Sequence, residues 1–412
     1  MDLEEARQTI FAQLSCRAGT EILPLAQARG RITAELVKAQ IPLPPFPASA
    51  MDGYAVRKVD FEKRTALRVI GASLAGHPYD GTVGEGECVR VFTGAVVPEG
   101  ADLVVLQERL KHAEEKPDGS VAVTFEQHQP DEDFIRPVGN DVLLGQSLCA
   151  RGEVLSPLLM GSLAAAGVAD ICVYKPVTVG VFSSGDELRD PGTPPQSLTL
   201  GQIYDSNSFT LASILQSLPL RVITLDRLPD EANAVEVALV AASKRCDLLI
   251  TSGGVSVGDA DFIGATIAKL GTLAFWRLNL KPGKPLAFGK IGDCWIFGLP
   301  GNPVSTIVTC LLLVLPSLQV LCGTQPSPLV RFNAQLKTSL THRPGRVEYQ
   351  RGIYQADELS EGGLAVSHTG DQGSNRLSTF VGANCLIEVP KDSGDIAMGS
   401  NVKILLLRDL LA

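Results

Sequence analysis

The chain has 412 residues, of which 45% are hydrophobic and 20% charged, and its formal net charge is −9. This length exceeds one ordinary hydrophobic core, so several domains of roughly 100–150 residues are expected. The acidic balance argues against general nucleic-acid binding, which needs clustered Lys and Arg in excess. We therefore expect a globular multidomain protein in which any anion site is local.

Neither a membrane segment nor a disulfide framework is indicated. The N-terminal MDLEEARQTIFAQLS is acidic, and no apolar run reaches the ~20 residues that span a bilayer. The nine cysteines show no CxxC or CxxH spacing and are expected to be buried thiols in a reducing compartment. A cytoplasmic location follows as an expectation.

The first half of the chain predicts helices flanking a β-rich region. The spacing of apolar residues predicts an amphipathic helix over 2–15. The run IPLPPFPASAMDGYAV, from Ile41, holds four prolines and predicts a rigid extended loop. Residues 66–127 alternate short β-type runs with turn signals, and a helical pattern returns around 150–170.

The second half predicts an α/β unit followed by a β unit. The strands VTVGVFSS, LRVITLD and CDLLITSGG alternate with helical patterns, which indicates a parallel sheet covered by helices. The apolar segment VSTIVTCLLLVLPSL has the length of one helix and is expected to be buried. Short alternating runs from Val330 to Leu411 predict a small β-domain.

Glycines and polar residues follow two of these strands. CDLLITSGG ends in Ser252, Gly253 and Gly254, where backbone N–H groups can approach a phosphate, although such a turn is more often only a turn. VGVFSSGDEL places Glu187 at the same sheet edge, as a hard oxygen ligand for Mg²⁺ or a surface acid. In IYDSNS, Asp205 and Asn207 are ligand contacts or helix caps. The later Asp261 is either a ligand or an acid in the first turn of a helix that Asp259 caps.

A third constellation is cationic. FWRLNLKPGKP brings Arg277, Lys281 and Lys284 within eight residues of an acidic protein, although a solvated basic loop is the simpler interpretation of this segment alone. GLPGNP follows, and the helix after Pro303 should present N–H groups that favour an anion. The sequence contains neither GxSxG nor GxxxxGK[ST], so the common serine hydrolase and P-loop classes are not indicated.

In chain order, PPFPASAMDGYAV, VFTGAVVPEGADLVV, IRPVGNDV, SSGDEL, GQIYDSN, SGGVSVGDAD, LKPGKP and GLPGNPVS resemble the motifs of the MoeA family. This family comprises the molybdopterin molybdenumtransferases and is related to the E domain of gephyrin. The similarity runs from about residue 3 to the C-terminus. MDGYAV and the SGG, KPG and GLPGNP series are its distinctive members.

The resemblance implies a multidomain α/β fold. Its parts are a central parallel-sheet α/β domain resembling the pterin adenylyltransferase fold, a β-rich domain, a discontinuous helical linker domain and a C-terminal β-domain. The implied limits are 1–40 and 145–172 for domain I, 41–144 for domain II, 173–325 for domain III and 326–412 for the barrel-like domain IV.

Candidate site residues follow from the motifs and from the resemblance, position by position. Two depart from the commonest family residue while keeping its donor chemistry: Arg277 stands for Lys, and Ser184 for Thr. The catalytic candidates are Asp52, Thr93, Asp141, Glu187, Asp230 and Asp261, of which the last three are also the candidate Mg²⁺ ligands. The substrate-binding candidates are Ser184, Asp205, Asn207, Ser252, Gly253, Gly254, Arg277, Lys281, Lys284, Pro300, Pro303, Arg351 and Ser374.

The implied activity is molybdenum insertion: transfer of molybdate to molybdopterin adenylate, with release of AMP and formation of the molybdenum cofactor. Fixed cationic donors, among them Lys281, Lys284 and Arg351, would hold the molybdate dianion, aided by Ser374. The family also implies a homodimer with Asp52 acting across its cleft, and a pterin adenylyltransferase and molybdoenzyme maturation proteins are candidate partners. Two alternatives stay open: adenylylation of the pterin by this chain, and a dimeric scaffold.

Overall fold

The computed structural model describes residues 1–126, 132–229, 231–255, 262–275, 277–359 and 363–411. Within this part, the strands form three six-stranded sheets and several two-stranded pairings. The molecule is a multidomain α/β protein with a β-rich N-terminal region, a central α/β unit and a C-terminal β unit. The fold class predicted from the sequence is confirmed.

The N-terminal region is mostly β-structure. One sheet has the strand order β7-β4-β6-β5-β9-β8 and contains the β-type runs predicted over 66–127. The helices are α1 Leu3–Gln13, α2 Lys58–Glu62 and α3 Pro157–Ala165. The strands are β1 Thr20–Pro24, β2 Val37–Lys38, β3 Ala48–Ser49, β4 Gly53–Val56, β5 Leu67–Ser73, β6 Glu87–Val91, β7 Leu103–Leu106, β8 Leu110–Glu115, β9 Val121–Phe125, β10 Ile135–Arg136, β11 Ser147–Cys149 and β12 Asp170–Tyr174.

The sequence predicted that the whole proline-rich run is an extended loop, but the structure has a strand at its end. Its last four residues form β4, which lies between β6 and β7. The prolines end at Pro47, and the residues after it keep the N–H groups that a central strand must donate. Asp52 therefore lies immediately before a strand that is inside the sheet.

Two short pairings join segments that are far apart in the sequence. β1 pairs with β12, and β2 pairs with β11, in both cases antiparallel. α3 begins at Pro157, after Ser156, whose hydroxyl accepts a hydrogen bond from the Leu159 N–H. The linker region, predicted as helical, thus combines one helix with paired strands.

Helix α1 confirms the predicted N-terminal helix. Asp2 and Glu5 form a capping box at its start, and Leu3 and Ile10 lie on its buried face. Burial of each such side chain contributes roughly 1.5–3 kcal/mol. The Arg7 guanidinium donates to the Leu312 carbonyl oxygen at 2.7 Å, so α1 is docked on the central unit.

The central unit is a six-stranded sheet covered by helices. Its order is β16-β13-β17-β21-β20-β18, with the first four strands parallel. The strands are β13 Val177–Ser183, β14 Leu188–Arg189, β15 Ile203–Tyr204, β16 Leu220–Thr224, β17 Leu248–Ser252, β18 Thr272–Phe275, β19 Leu280–Lys281, β20 Ala287–Ile291 and β21 Cys294–Leu299. The helices are α4 Asn207–Leu215, α5 Ala232–Ser243, α6 Phe262–Leu270, α7 Pro303–Thr309 and α8 Leu315–Leu321.

The predicted parallel sheet is therefore mixed at one edge. β20 and β21 are joined by a two-residue hairpin around Gly292, and β18 pairs antiparallel with β20. A connection this short cannot make the crossover that parallel strands require. The parallel part, which carries the strand-end motifs, is as the sequence predicted.

The apolar segment after GLPGNP is a buried core helix, as expected. α7 and α8 are joined by a π-helical turn, Cys310–Val314, into one helix over Pro303–Leu321. This helix is long and apolar enough to cross a membrane, but 94% of its most apolar window is buried inside the molecule. All nine cysteines are free, and only Cys16 and Cys172 are more than slightly exposed.

The C-terminal unit confirms the predicted β-domain. Its strands are β22 Phe332–Leu336, β23 Val347–Ala356, β24 Leu364–His368, β25 Cys385–Val389 and β26 Asn401–Leu406, followed by α9 Leu407–Leu410. The short strand β19 of the central unit pairs parallel with β23. Lys281 is thereby fixed opposite Glu348, and the two units share one sheet.

Candidate functional site

The carboxyl ends of the central parallel strands meet in a set of contacting turns. The Ser184 N–H, after β13, donates to the Ser252 carbonyl at 2.9 Å. The Gly253 N–H, after β17, donates to the Leu299 carbonyl at the end of β21, at 3.0 Å. The strand ends predicted to converge therefore do so, at the edge where open α/β sheets bind ligands.

Glycine is required in this edge for geometric reasons. Gly253 and Gly254 have φ angles of +96° and +71°, in the left-handed region. A Cβ atom on Gly253 would lie 2.8 Å from the Ser184 carbonyl oxygen, and one on Gly301 would lie 3.6 Å from the Gly253 Cα. The turns are therefore packed backbone against backbone, and no side chain on these glycines keeps a ligand away from the main chain.

Asn207 joins the turns, whereas Asp205 serves the helix that follows. The Asn207 Nδ2 donates to the Ser252 hydroxyl at 2.8 Å and to the Gly301 carbonyl at 2.7 Å. Asp205 is buried, and its carboxylate accepts from the Ser208 N–H at 3.1 Å. Of the two interpretations weighed for Asp205, the structure displays the capping contact.

Glu187 lies beside this edge with an exposed carboxylate. Its oxygens fold over Gly185, where an added Cβ would clash with them at 2.4 and 2.7 Å. The other two candidate Mg²⁺ ligands, Asp230 and Asp261, lie outside the described residues. Among the described residues no group of three His, Cys, Asp or Glu is placed to hold a metal ion, so Glu187 alone represents the predicted site.

A cleft of about 470 Å³ opens where the central and C-terminal units meet. Its lining combines cationic, hydroxyl and amide groups with two carboxylates. Of the substrate-binding candidates, it brings together Lys281, Lys284 and Ser374. The complete lining is Lys281, Pro282, Gly283, Lys284, Pro285, Asn302, Ser305, Thr341, Arg346, Glu348, Asp371, Gln372, Gly373 and Ser374.

The cleft's charges are unevenly exposed. The Lys281 ammonium lies 3.0 Å from the Glu348 carboxylate, which is only 2% exposed. Asp371 is paired with Arg376 at 3.1 Å. Lys284 is exposed, and its carbonyl accepts from the Leu278 N–H at 3.0 Å, which brings the exposed Arg277 to the same loop.

The sequence predicted that the start of α7 presents N–H groups to an anion, but the structure shows a contact within the protein. Pro303 has no N–H, and the next N–H, of Val304, donates to the Ser374 carbonyl at 3.1 Å. This group therefore docks the C-terminal unit and does not face an anion. The buried Pro300 completes the turn, because its carbonyl accepts from the Thr306 hydroxyl at 2.5 Å.

Arg351, expected as a molybdate donor, lies beneath the cleft with 0% exposure. Its guanidinium donates to the Thr379 hydroxyl at 2.9 Å and to the Gly373 carbonyl at 3.1 Å. Burial lowers the pKa of Arg351 to about 10, so the group stays charged at neutral pH. In this structure Arg351 supports the loop that carries Ser374 and does not line the cleft.

Asp52 and Thr93 form a separate pair in the N-terminal sheet. The Asp52 carboxylate accepts from the Thr93 N–H at 2.7 Å and from its hydroxyl at 2.8 Å. These hydrogen bonds hold the pKa of Asp52 below its ordinary value, with a smaller contribution from the charge of Arg90. Asp141 is exposed on another turn, where its N–H donates to the Leu43 carbonyl.

Several cleft residues escaped the sequence analysis. Arg346 lies in the turn before β23, and Asp371 and Gln372 lie between Gly370 and Gly373. The glycine-rich GDQGSN run was a visible turn signal, but it stands about 90 residues after KPGKP in the sequence. The pairing of β19 with β23 and the hydrogen bond between Val304 and Ser374 bring the two segments together.

Comparison with known proteins places this architecture in one family. Residues 1–167 match the family model for the MoeA N-terminal region (domain I and II). Residues 180–320 match a probable molybdopterin binding domain, and residues 333–407 match the MoeA C-terminal region (domain IV). A crystal structure of a molybdopterin biosynthesis MoeA protein from Pyrococcus horikoshii superposes with a TM-score of 0.81 at 27% identity, covering 98% of both chains.

Curated relatives agree over nearly the whole chain. The molybdopterin molybdenumtransferase of Haemophilus influenzae is 42% identical over 405 residues, which is 98% of each chain. Molybdopterin molybdenumtransferase 2 of Mycobacterium tuberculosis is 32% identical over 414 residues, covering 97% of this chain and 98% of its own. The chain is therefore an enzyme of molybdenum cofactor biosynthesis and belongs to the MoeA family of molybdopterin molybdenumtransferases.

Proposed function

We propose that the enzyme transfers molybdate to molybdopterin adenylate, releases AMP and forms the molybdenum cofactor. The observation that carries the proposal is the cleft between the central and C-terminal units. Three cationic side chains line it, and its two carboxylates are each paired with a cation. Lys284 and Arg346 are thus available to a tetrahedral dianion, together with the Ser374 hydroxyl.

The adenylylated pterin would lie along the neighbouring strand ends. Gly253, Gly254 and Gly301 let the backbone approach a phosphate closely, and Asn207 holds their turns together. Val304 and Ser374 link these turns to the cleft. Binding side by side would place the dithiolene sulfurs where they replace oxo ligands of the bound molybdate.

Mg²⁺ is proposed as the cofactor for release of AMP. The exposed Glu187 carboxylate fits as one hard oxygen ligand, and Asp230 and Asp261 are proposed to complete the set. When bound, the ion would supply charge neutralisation at the phosphate. Glu187 would hold it beside the turn at Gly185.

We further propose the four-domain division given above and a cytoplasmic homodimer in which Asp52, held by Thr93, acts across the dimer cleft. A pterin adenylyltransferase and molybdoenzyme maturation proteins are the proposed partners. Free thiols and the burial of the apolar helix support the location.

The test is incubation with molybdopterin adenylate, molybdate and Mg²⁺, following AMP and molybdenum cofactor together. Both should appear in equal amounts, and Lys284→Gln should lower the rate at subsaturating molybdate. Lys111→Gln, on the exposed strand β8, is the matched control. Consumption of ATP to make the adenylate would instead favour a pterin adenylyltransferase, and binding without turnover would favour a scaffold.

A further inference from the structure

His342 lies beneath the cleft with its side chain fully buried. Its Nδ1 is 2.9 Å from the Ser393 carbonyl oxygen, and its Nε2 is 3.1 Å from the Arg346 carbonyl oxygen. A carbonyl oxygen only accepts hydrogen bonds, so each ring nitrogen must carry a proton to make its contact. Only the imidazolium form of the ring satisfies both contacts.

A neutral ring would be unfavourable at this place. One nitrogen would turn its lone pair towards a carbonyl oxygen, and that pair of acceptors would be buried without a donor between them. An imidazolium, in turn, needs a counter-ion when it is buried. The Glu348 carboxylate supplies it, 3.8 Å from the Nε2.

The surrounding charges favour the same assignment. Asp395, from the segment before β26, accepts from the backbone N–H of His342 at 2.8 Å. Arg346 follows on the same turn with its guanidinium towards the cleft lining. From β19, Lys281 donates to Glu348 at 3.0 Å, so one buried carboxylate serves two cations.

We propose that His342 is a buried imidazolium, and that its charge, acting through Glu348, sets how strongly Lys281 attracts an oxyanion in the cleft. With the ring protonated, Lys281, His342 and Glu348 together carry one positive charge; with the ring neutral they carry none. His342 is thus a positioning residue that acts through another group. The identity of the anion rests on the proposed function, whereas the charge of the ring does not.

The sign of the effect follows directly. His342→Gln removes one positive charge from beneath the cleft, so affinity for a dianion should fall. A unit charge roughly 10 Å from a dianion, at an effective dielectric of about 80 for a water-filled cleft, changes affinity about fourfold. The loss should shrink as the ionic strength rises, because salt screens a charge effect and leaves a packing effect unchanged.

The experiment combines two readouts on the full chain. Selective ¹⁵N-histidine labelling reports the protonation of both ring nitrogens at neutral pH, with the His342 signals identified by their loss in His342→Gln. Calorimetric titration with molybdate at low and at high salt gives the affinity. His112→Gln, on exposed β8, is the control that should change neither result.

We expect two protonated ring nitrogens at neutral pH and a molybdate affinity that is about fourfold lower in His342→Gln than in the wild type at low salt. A neutral His342 ring at neutral pH would overturn the proposal without needing any variant to fold. Equal affinities in wild type and His342→Gln, or a loss that does not change with salt, would overturn the coupling to Lys281. A charged ring in a protein that binds no molybdate would support the charge assignment and count against the proposed function.

Discussion

The Asn207 side-chain nitrogen lies 2.8 Å from the Ser252 hydroxyl oxygen and 2.7 Å from the Gly301 carbonyl oxygen. One amide at the start of α4 therefore holds the turns that follow β17 and β21. The amide adds to the hydrogen bond between the Gly253 N–H and the Leu299 carbonyl, so it helps to fix the position of this edge.

Asn207→Ala should loosen these turns. We expect a loss of about 1–2 kcal/mol of stability, from one buried hydroxyl and one carbonyl left without this donor. KM for the adenylylated pterin should rise about tenfold or more, with kcat less affected. Steady-state kinetics and a thermal melt measure both effects, and Asn333→Ala, at an exposed position of β22, is the control. A KM equal to that of the wild type would restrict Asn207 to a structural role.

Asp52→Ala should leave the protein folded and inactive, because a carboxylate held by Thr93 at a strand start has little to contribute to the core. Melting temperature and AMP release distinguish the two properties. Full activity in the variant would confine Asp52 to the hydrogen bonding of its own turn.

Thr93→Val should raise the pKa of Asp52 towards its ordinary value, because it removes the side-chain donor. The depressed pKa means that any stability from this contact is present at neutral pH and is lost as pH falls through the folded-state value. Carbon NMR of the carboxyl group, from pH 2 to 6, measures the change. Thr338→Val, in the C-terminal unit, should leave that titration unaltered.

Glu187→Gln should weaken the Mg²⁺ dependence more than pterin binding, because it removes an anionic ligand but keeps the size of the side chain. At saturating adenylate, we expect the Mg²⁺ concentration for half-maximal AMP release to rise about tenfold or more. Glu115→Gln, on exposed β8, serves for comparison. An unchanged Mg²⁺ requirement would leave Glu187 as a surface acid.

Arg277→Lys should keep most activity if this exposed residue presents a point charge to molybdate or phosphate, whereas Arg277→Ala should not. The molybdate concentration for half-maximal cofactor formation tests the pair. Equal losses in both variants would indicate a bidentate or stacked guanidinium contact. No loss in the Ala variant would remove Arg277 from the site.

Arg351→Lys should destabilise the C-terminal unit by about 2–4 kcal/mol, because an ammonium cannot reach Thr379 and Gly373 together and leaves buried acceptors unpaired. The thermal melt should shift down by several degrees, whereas Arg408→Lys on exposed α9 should not shift it. Molybdate affinity should also fall, because the loop that carries Ser374 loses its support from Arg351. Unchanged stability with lost affinity would return Arg351 to direct contact with the anion.

The sequence predicts the strand-end edge well, because glycine and proline residues within each turn signal that turn locally. The cleft is a different case. Lys281 and Ser374 line one cleft because β19 joins the C-terminal sheet and because the Val304 N–H bonds to the Ser374 carbonyl. The pairing of β19 with β23 involves two residues that no periodicity signals. The direction of a side chain is equally hidden in the sequence. Arg351 carries the expected charge but lies under the loop, and nothing in the sequence around His342 indicates that its ring is buried.

The docking of α1 has a consequence for synthesis of the protein. Arg7 leaves the ribosome 305 residues before its acceptor, the carbonyl of Leu312. Until then, both the apolar face of α1 and the strands awaiting the helix over Pro303–Leu321 remain uncovered. The core of the central unit therefore closes late, and nascent chains stalled before residue 303 should be bound by chaperones that recognise exposed apolar segments.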